Sequence, residues 1–377
     1  MTESELLYQL ALSKIPRVGS KIAKHLISYC GSAEGVFKSK RGQLKNIPGI
    51  GDYLVNAITS FSEFDKAEKE LSKAFEAGVD VLYFTHPEYP KRLKHIHDAP
   101  MIIYTRGLKK FNEDKVVAIV GTRSATKYGK HYTESLIEQI QGFKPVVVSG
   151  LALGIDITAH QAALANGLNT ISVMANGIDM IYPAEHRGIA RKIEDHGSLV
   201  TEYPMGTKPE THYFPMRNRI IAGLSDAVIV IEAAERGGAL ITAELANAYN
   251  REVFALPGDY DRKYSTGCNQ LIKHHKANIL TSIDDLVYYL NWDQDAPYTP
   301  YNDSTPSIPV DDLEPEEKNV VELLQKQLDG IHIDELSWQT HININKIAGI
   351  LLNLEFKGLV KPLPGKKYQI NRKFVRL

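Results

Sequence analysis

Eight short apolar segments between residues 79 and 256 constrain the fold of this chain more than any other feature. Each segment is followed by glycine or a polar residue and then by a stretch of helical character. The segments are VDVLYF (79–84), MIIYT (101–105), VVAIV (116–120), PVVVS (145–149), TISVM (170–174), SLVTE (198–202), AVIVIE (227–232) and EVFAL (252–256). Continuous apolar strands that alternate with helices are typical of a parallel sheet with both faces covered. The sequence therefore predicts an α/β fold.

The N-terminal part contains a short internal repeat, since IPRVGSKIAKHLI (15–27) returns as IPGIGDYLVNAIT (47–59). Both copies predict a helix, a tight glycine turn and a second helix whose first N–H groups face outward. This pattern resembles a tandem helix-hairpin-helix (SAM-like) module, which commonly binds the DNA backbone without regard to sequence. Basic residues lie in or between the hairpins: Lys14, Arg17, Lys21, Lys24, Lys38, Lys40, Arg41 and Lys45. The alternative is a helical domain that only packs against its neighbours or a second subunit.

The C-terminal part begins after a stretch rich in proline and acidic residues, which has the composition of a linker. The pattern that follows predicts three helices and two strands around an LPGKK turn, which resembles a winged helix-turn-helix. Its third helix is expected at about 343–357, and such modules bind either DNA or other proteins. The predicted domains are a helical domain (1–78), a sheet core (79–290), a linker (291–315) and a winged-helix domain (316–377).

Glycine-rich loops follow the predicted strands at the edge where open α/β sheets bind their ligands. They are GTRSATKYG (121–129), SGLALGID (149–156), ANGIDMIYP (175–183), ERGGALIT (235–242) and LPGDYDRKYSTGCNQ (256–270). None of them matches the glycine pattern of a dinucleotide or P-loop site, and the chain lacks G-x-S-x-G and H-E-x-x-H. His160 follows Asp156 at helical spacing, but a capped helix and a hydrogen-bonded histidine explain the pair better than a metal. No catalytic residue, metal site or cofactor is expected.

The same loops carry positive charge and aromatic rings. Arg123, Lys127, Tyr182, Tyr213, Phe214, Arg217 and Arg219 all lie in them or just before the seventh strand. Cations take phosphates and rings stack on exposed bases, so this mixture is typical of single-strand binding. The net charge is only −1, so such binding depends on local clustering. Of the two arginines at the start of the helix, we expect one to pair with Glu232 or Asp226 and the other to face the ligand.

The central block as a whole resembles the DNA-processing protein A family, also called Smf. The resemblance covers about 79–290 and rests on VAIVGTRSATKYG, VVSGLALGIDITAHQAAL, GIDMIYP, FPMRNRIIAGLSDAVIVIEA, GGALITAELA and ALPGDYDRKYSTGCNQLI, all in this order. One departure is LIKHHKA, where many members have an acidic residue and a glycine before the alanine. That difference affects only the loop after His275.

The resemblance implies an extended Rossmann-like core and a cytoplasmic, homodimeric protein that binds single-stranded DNA. Members shield incoming DNA during natural transformation, load RecA recombinase onto it and catalyse no reaction. Carried to this chain, the DNA-binding residues are Arg123, Lys127, Gly150, Tyr182, Arg217, Asn218, Arg219, Gly237 and Gly238. Alanine at Arg123 and Arg219 is accordingly expected to weaken single-strand binding and to flatten its salt dependence.

Two other classes of function remain open at this point. Related Rossmann-like proteins hydrolyse the N-glycosidic bond of nucleoside monophosphates with a P-G-G-x-G-T loop and a glutamate. Here ERGGALITAE replaces that loop, and Glu244 lies where a catalytic acid could be suspected. A regulatory protein that reads duplex DNA through its winged helix is the third possibility. A membrane protein is not expected, because no apolar stretch approaches the roughly 20 residues that a span requires.

Overall fold

The computed structural model of the chain describes residues 3–292, 313–327 and 330–371. The chain divides into two units, one of Met1–Tyr249 with Val253–Ile279 and one of Asn250–Glu252 with Leu280–Leu377. The division between helical domain and sheet core at residue 78 remains a prediction. The predicted linker lies mostly outside the described residues. No helix in the described ranges is both long and apolar enough to cross a membrane.

Helices make up the start of the first unit. They are α1 (Glu3–Ser13), α2 (Ser20–Cys30), α3 (Ala33–Lys38), α4 (Arg41–Lys45), α5 (Asp52–Thr59) and α6 (Phe64–Glu76). The internal repeat is visible in the turns, because the Val18 N–H donates to the Ile15 carbonyl at 3.1 Å and the Ile50 N–H donates to the Ile47 carbonyl at 3.1 Å. Glycine precedes the second helix of each hairpin as its N-cap residue.

The two turns differ at one equivalent position. Gly49 has a φ of 76°, and Arg17 takes the same left-handed conformation with a φ of 67°. A non-glycine residue adopts this conformation rarely. The Arg17 guanidinium lies 4.5 Å from the centre of the Tyr53 ring, which is on α5, so this side chain links the two hairpins.

A nine-stranded sheet forms the centre of the first unit. Its strands are β1 (Asp80–Tyr83), β2 (Ile102–Gly107), β3 (Val116–Val120), β4 (Val146–Ser149), β5 (Thr170–Val173), β6 (Gly197–Thr201), β7 (Ala227–Val230), β8 (Glu252–Ala255) and β9 (Asn278–Ile279). The spatial order is β1-β2-β6-β5-β4-β3-β7-β8-β9. All eight predicted strands are present. The sheet is mostly parallel, and β2 is antiparallel to both of its neighbours.

Helices connect the strands across both faces of the sheet. They are α7 (Lys91–Lys94), α8 (Lys127–Ile140), α9 (Ile155–Ala165), α10 (Arg187–His196), α11 (Tyr213–Leu224), α12 (Gly238–Ala248) and α13 (Thr266–Lys273). The chain moves outward from β3 to β6 and then returns to β7 on the other side of β3. Because such crossovers are right-handed, α11 and α12 lie on the face opposite to α8 and α9. The loops after β3 and β7 therefore meet at a topological switch point, where open α/β sheets bind ligands.

The second unit contains the predicted winged helix. Its elements are α14 (Ile283–Leu290), α15 (Pro315–Lys326), β10 (Ile331–His332), α16 (Ile333–Thr340), α17 (Ile344–Phe356), β11 (Val360–Leu363) and β12 (Lys367–Ile370). The three strands form an antiparallel sheet, and the helices α15 to α17 pack around a separate apolar core. The expected third helix at about 343–357 corresponds to α17.

Candidate nucleic-acid interface

Helix α11 carries the R-N-R segment and begins at Tyr213, one turn before the expected start at Arg217. Within this helix Arg217 shares a face with Ile220, Ile221 and Leu224, which lie three, four and seven residues further on. That face packs towards the sheet, so the Arg217 side chain is directed inward and only 3% of the residue is exposed.

Arg217 is hydrogen-bonded to the backbone at the carboxyl ends of two neighbouring strands, β4 and β5. Its Nη1 donates to the Gly150 carbonyl at 2.6 Å and to the Val173 carbonyl, and its Nε donates to Asn218 Oδ1 at 3.2 Å. Asn218 Nδ2 in turn donates to the Gly238 carbonyl at 3.1 Å. A Cβ on Gly150 would lie 2.7 Å from the guanidinium, which explains the glycine. The segment thus ties together the ends of β4 and β5 and the start of α12.

A buried carboxylate balances the Arg217 charge. Asp156, on the first turn of α9, accepts from the Gly150 N–H at 3.2 Å. Burial raises the pKa of Asp156, and the charge of Arg217 opposes that rise. Burial likewise lowers the pKa of Arg217 to about 10, while Asp156 acts in the opposite direction. Arg217 therefore keeps its positive charge at neutral pH, inside the protein.

Arg219 is also held by the protein itself. It forms an ion pair with Glu202 and donates from Nη1 to the Asp98 carbonyl at 2.7 Å. The partners expected from the sequence are wrong. Glu232 accepts from the Thr126 N–H at 2.9 Å, and Asp226 forms an ion pair with Arg92 at 2.6 Å. Both arginines have internal partners because α11 turns one towards the sheet and the other towards the loop after β6 and the segment before β2.

Exposed groups collect instead around Phe214, in the first turn of α11. The Arg123 guanidinium, in the loop after β3, lies 4.9 Å from the centre of the Phe214 ring. The Tyr182 ring, in the loop after β5, lies 5.9 Å from the same ring and is 48% exposed. We call Arg123, Tyr182 and Phe214 the Arg123 cluster. It offers a cation and two rings together at the carboxyl edge of the sheet.

The remaining predicted residues surround this edge. Lys127 is exposed as the first residue of α8, whose N-cap is Thr126. Gly237 and Gly238 are exposed at the start of α12, and no side chain in the described residues caps that helix. A Cβ on Gly237 would meet nothing within 4 Å, so open space lies beside these N–H groups. An anion could approach them closely.

Two exposed apolar side chains near this edge were not singled out from the sequence. Leu153, in the loop after β4, and Met216, on the outward side of α11, are each 49% exposed. The helical period gives a signal for Met216, because the residue next to an inward-facing Arg217 points away from the sheet. Leu153 lies in an irregular loop, where no periodic signal exists.

The residues suspected of chemistry have ordinary structural roles. Glu244 is exposed on α12 and pairs with Lys276 at 3.2 Å. No group of three His, Cys, Asp or Glu side chains in the described residues could hold a metal. The hydrogen-bonded role expected of His160 is confirmed, with Nδ1 at 2.7 Å from Thr170 Oγ1. Asp156 binds the loop before α9, whereas Gly154 is the N-cap residue of that helix.

His160 gives the protein a predictable pH dependence. The Thr170 hydroxyl donates to the Val147 carbonyl, so it accepts from His160 Nδ1–H, and Nε2 is buried with no partner in the described residues. Burial, followed by the charges of His186 and Arg217, lowers the pKa of His160 from 6.5 to about 3. The unfolded chain therefore binds a proton below pH 6.5 that the folded chain does not, and stability falls as the pH drops from there towards 3.

We expect this residue to reduce the free energy of unfolding by about 1.4 kcal/mol for each pH unit below about pH 6. Urea unfolding of the His160→Gln variant between about pH 4.5 and pH 7 should lose this slope. His131→Gln, at an exposed position on α8, is the control and should keep it. A wild-type slope in His160→Gln would contradict the assignment.

Comparison with known proteins identifies the family. A model for DNA recombination-mediator protein A matches residues 80–291, which is more than half of the 377 residues. The chain belongs to the DNA-processing protein A family. The resemblance seen in the sequence is thereby confirmed, and a model for the DprA winged helix domain matches residues 304–366. Protein Smf of Synechocystis is 33% identical over 399 residues, which cover 98% of this chain and 100% of that relative.

Two solved structures of DNA processing protein A resemble this chain. That of Streptococcus pneumoniae has a TM-score of 0.64 and 32% identity, and the match covers 76% of this chain and 98% of that one. That of Helicobacter pylori, described for its single-stranded DNA binding mode, has a TM-score of 0.52 and 31% identity, with coverage of 57% and 96%. These two matches therefore agree with the family assignment and with the extended Rossmann-like fold class that the sequence predicted.

Proposed function

We propose that this protein binds single-stranded DNA without regard to sequence, protects incoming DNA and loads RecA recombinase onto it during natural transformation. It acts in the cytoplasm as a homodimer and catalyses no reaction. The observation that carries this proposal is the Arg123 cluster, with its exposed arginine and tyrosine and its half-buried phenylalanine, at the switch point of the sheet. The single-strand binding described for the Helicobacter pylori relative supports it.

The chemistry of the cluster favours a single strand over a duplex. Arg123 can neutralise a phosphate, and the N–H groups at the start of α12 can add bonds that carry no sequence information. Phe214 and Tyr182 can stack on bases, each for roughly 1–3 kcal/mol. Bases inside a duplex already stack on one another and hide their faces, so only an unpaired strand gains from these rings.

The test compares a labelled oligothymidylate with a matched duplex over a range of salt concentrations. We expect tighter binding to the single strand, with an affinity that falls steeply as salt rises, because each phosphate contact releases counterions. A RecA strand-exchange assay on DNA covered by the single-strand-binding protein tests the loading step. Equal affinity for both forms of DNA, or binding to neither at low salt, would refute the proposal.

The two competing functions receive less support. The exposed, lysine-paired Glu244 is a poor candidate for the acid of a nucleoside-monophosphate hydrolase, and measuring ribose 5-phosphate release from AMP tests this directly. In the winged helix, Leu352 and Phe356 are 50% and 81% exposed on α17, while Lys346 and Lys357 pair with Glu316 and Glu317. Such a helix surface offers few cations for duplex DNA.

A further inference from the structure

A depression of about 480 Å³ lies between the N-terminal helices and the segment that follows β1. It is lined by Lys24 from α2, Phe84 and Thr85 after β1, and Lys94 and His95 at the end of α7. None of these residues belongs to the Arg123 cluster. We call it the Lys24 pocket.

Two lysines form the charged wall of the Lys24 pocket. Lys24 Nζ donates to the Lys94 carbonyl at 3.2 Å and lies 5.4 Å from the centre of the Phe84 ring. Phe84 is only 5% exposed, so its ring forms the floor. Among the residues that the structure describes, the lining contains two lysines, a histidine and a threonine but no carboxylate. The pocket can therefore offer several donors to an anion.

These lysines differ from others in the helical segment. Lys14 pairs with Glu70, Lys38 with Glu34 and Lys45 with Asp52, each at 2.6 Å. Within the described residues neither Lys24 nor Lys94 has a carboxylate partner. A surface lysine without a partner is ordinarily just solvated, but here two of them share one concave site.

The pKa values of the two lysines also favour an anion in the Lys24 pocket. Burial and then the charge of Lys94 lower the pKa of Lys24. Burial and then the charge of Lys91 lower the pKa of Lys94. The charge of Lys94 thus disfavours the charged form of Lys24, and an anion placed between the two ammonium groups would oppose that effect.

We propose that the Lys24 pocket binds a phosphate group, held between the ammonium groups of Lys24 and Lys94 with Thr85 as an additional donor. The phosphate belongs either to a free nucleotide or to the backbone of a DNA strand. The second source rests on the proposed function, whereas the first is independent of it. This is a phosphate site separate from the Arg123 cluster.

The test follows the lysine side chains by NMR in protein labelled with ¹³C-lysine. Lys24→Met and Lys94→Met assign the two signals, and each keeps the aliphatic part of the side chain. Three probes are added separately: inorganic phosphate, dAMP and an oligothymidylate. A bound phosphate is expected to raise both lysine pKa values by about half a unit or more, towards their ordinary range.

Affinity measurements complete the test. The double variant Lys24→Met/Lys94→Met is expected to bind the probe that shifts the lysine signals about 5–10-fold more weakly than the wild-type protein does. Lys69→Met, at an exposed position on α6, is the matched control and should change the affinity less than twofold. A response to inorganic phosphate or dAMP identifies a free phosphate compound, and a response to the oligothymidylate alone identifies a strand.

The outcomes separate this inference from the proposed function. If the oligothymidylate does not bind the wild-type protein but dAMP shifts both lysines, the proposed function fails and the pocket stands. If the oligothymidylate binds and no probe moves either lysine, the pocket is only a solvated pair of lysines and the inference is overturned.

Discussion

Replacement of Arg217 by methionine is expected to lower the free energy of unfolding by about 3–5 kcal/mol. Methionine fills much of the same space but donates no hydrogen bond. In the variant, the carbonyls of Gly150 and Val173 lose the hydrogen bonds that the guanidinium donates to them. Asp156 loses the positive charge that interacts with its carboxylate. An uncompensated buried carboxylate costs far more than the loss of a surface ion pair.

Urea unfolding at neutral pH measures this effect, with Arg191→Met at an exposed position on α10 as the control. The control should change stability by less than about 0.5 kcal/mol. Addition of Asp156→Asn to Arg217→Met should recover part of the lost unfolding free energy, because it removes the unpaired carboxylate charge. The double-mutant cycle then gives the coupling energy between Asp156 and Arg217. A loss of DNA binding without any loss of stability would show instead that Arg217 contacts the ligand.

The burial of Arg217 could have been predicted from the sequence of α11. Ile220, Ile221 and Leu224 recur at helical spacing from this arginine and define the inward face. The prediction placed the start of the helix at Arg217, where a first-turn residue can face a ligand. The structure begins the helix at Tyr213, which puts Phe214 at the exposed end and moves Arg217 into the second turn.

The partners of these arginines could not be predicted in the same way. Glu202 and Asp98 are close to Arg219 only because β6, α11 and the segment before β2 meet in the folded chain. Aspartates and glutamates near in sequence, such as Asp226 and Glu232, were therefore chosen wrongly. Local pattern gives the elements, but contacts between distant segments depend on the order of the strands.

In the sheet, too, the strands themselves could be predicted from local sequence but their pairing could not. The apolar pattern of VVAIV coincides with β3 at 116–120, because a strand buried on both faces has a distinctive composition. The direction of β2 could not be predicted, since MIIYT has the same apolar pattern whether it runs parallel or antiparallel. Its antiparallel pairing with β6 depends on the long connection from β1, which brings the chain back to the carboxyl edge.

Alanine substitutions at Arg123 and Phe214 are expected to have the largest effects on single-strand binding. Loss of Arg123 removes a phosphate contact, so affinity should fall about tenfold and the salt slope should decrease by about 0.7. Loss of Phe214 removes stacking worth roughly 1–3 kcal/mol and should decrease the salt slope by less than the loss of Arg123 does. This replaces the expectation for Arg219, whose guanidinium is paired with Glu202.

The combined variant tests whether the two residues act as one surface. The Arg123 guanidinium lies over the Phe214 ring, so alanine at Phe214 also releases the arginine from its position. The loss of affinity in the double variant should therefore be smaller than the two single losses combined, and it should be about a hundredfold at most. Fluorescence anisotropy of a labelled oligothymidylate measures each affinity, and Lys192→Ala, at an exposed position on α10, serves as the control. Among the described cations, only Arg123 lies over the Phe214 ring. Unchanged affinity in both single variants would therefore place the strand on another surface.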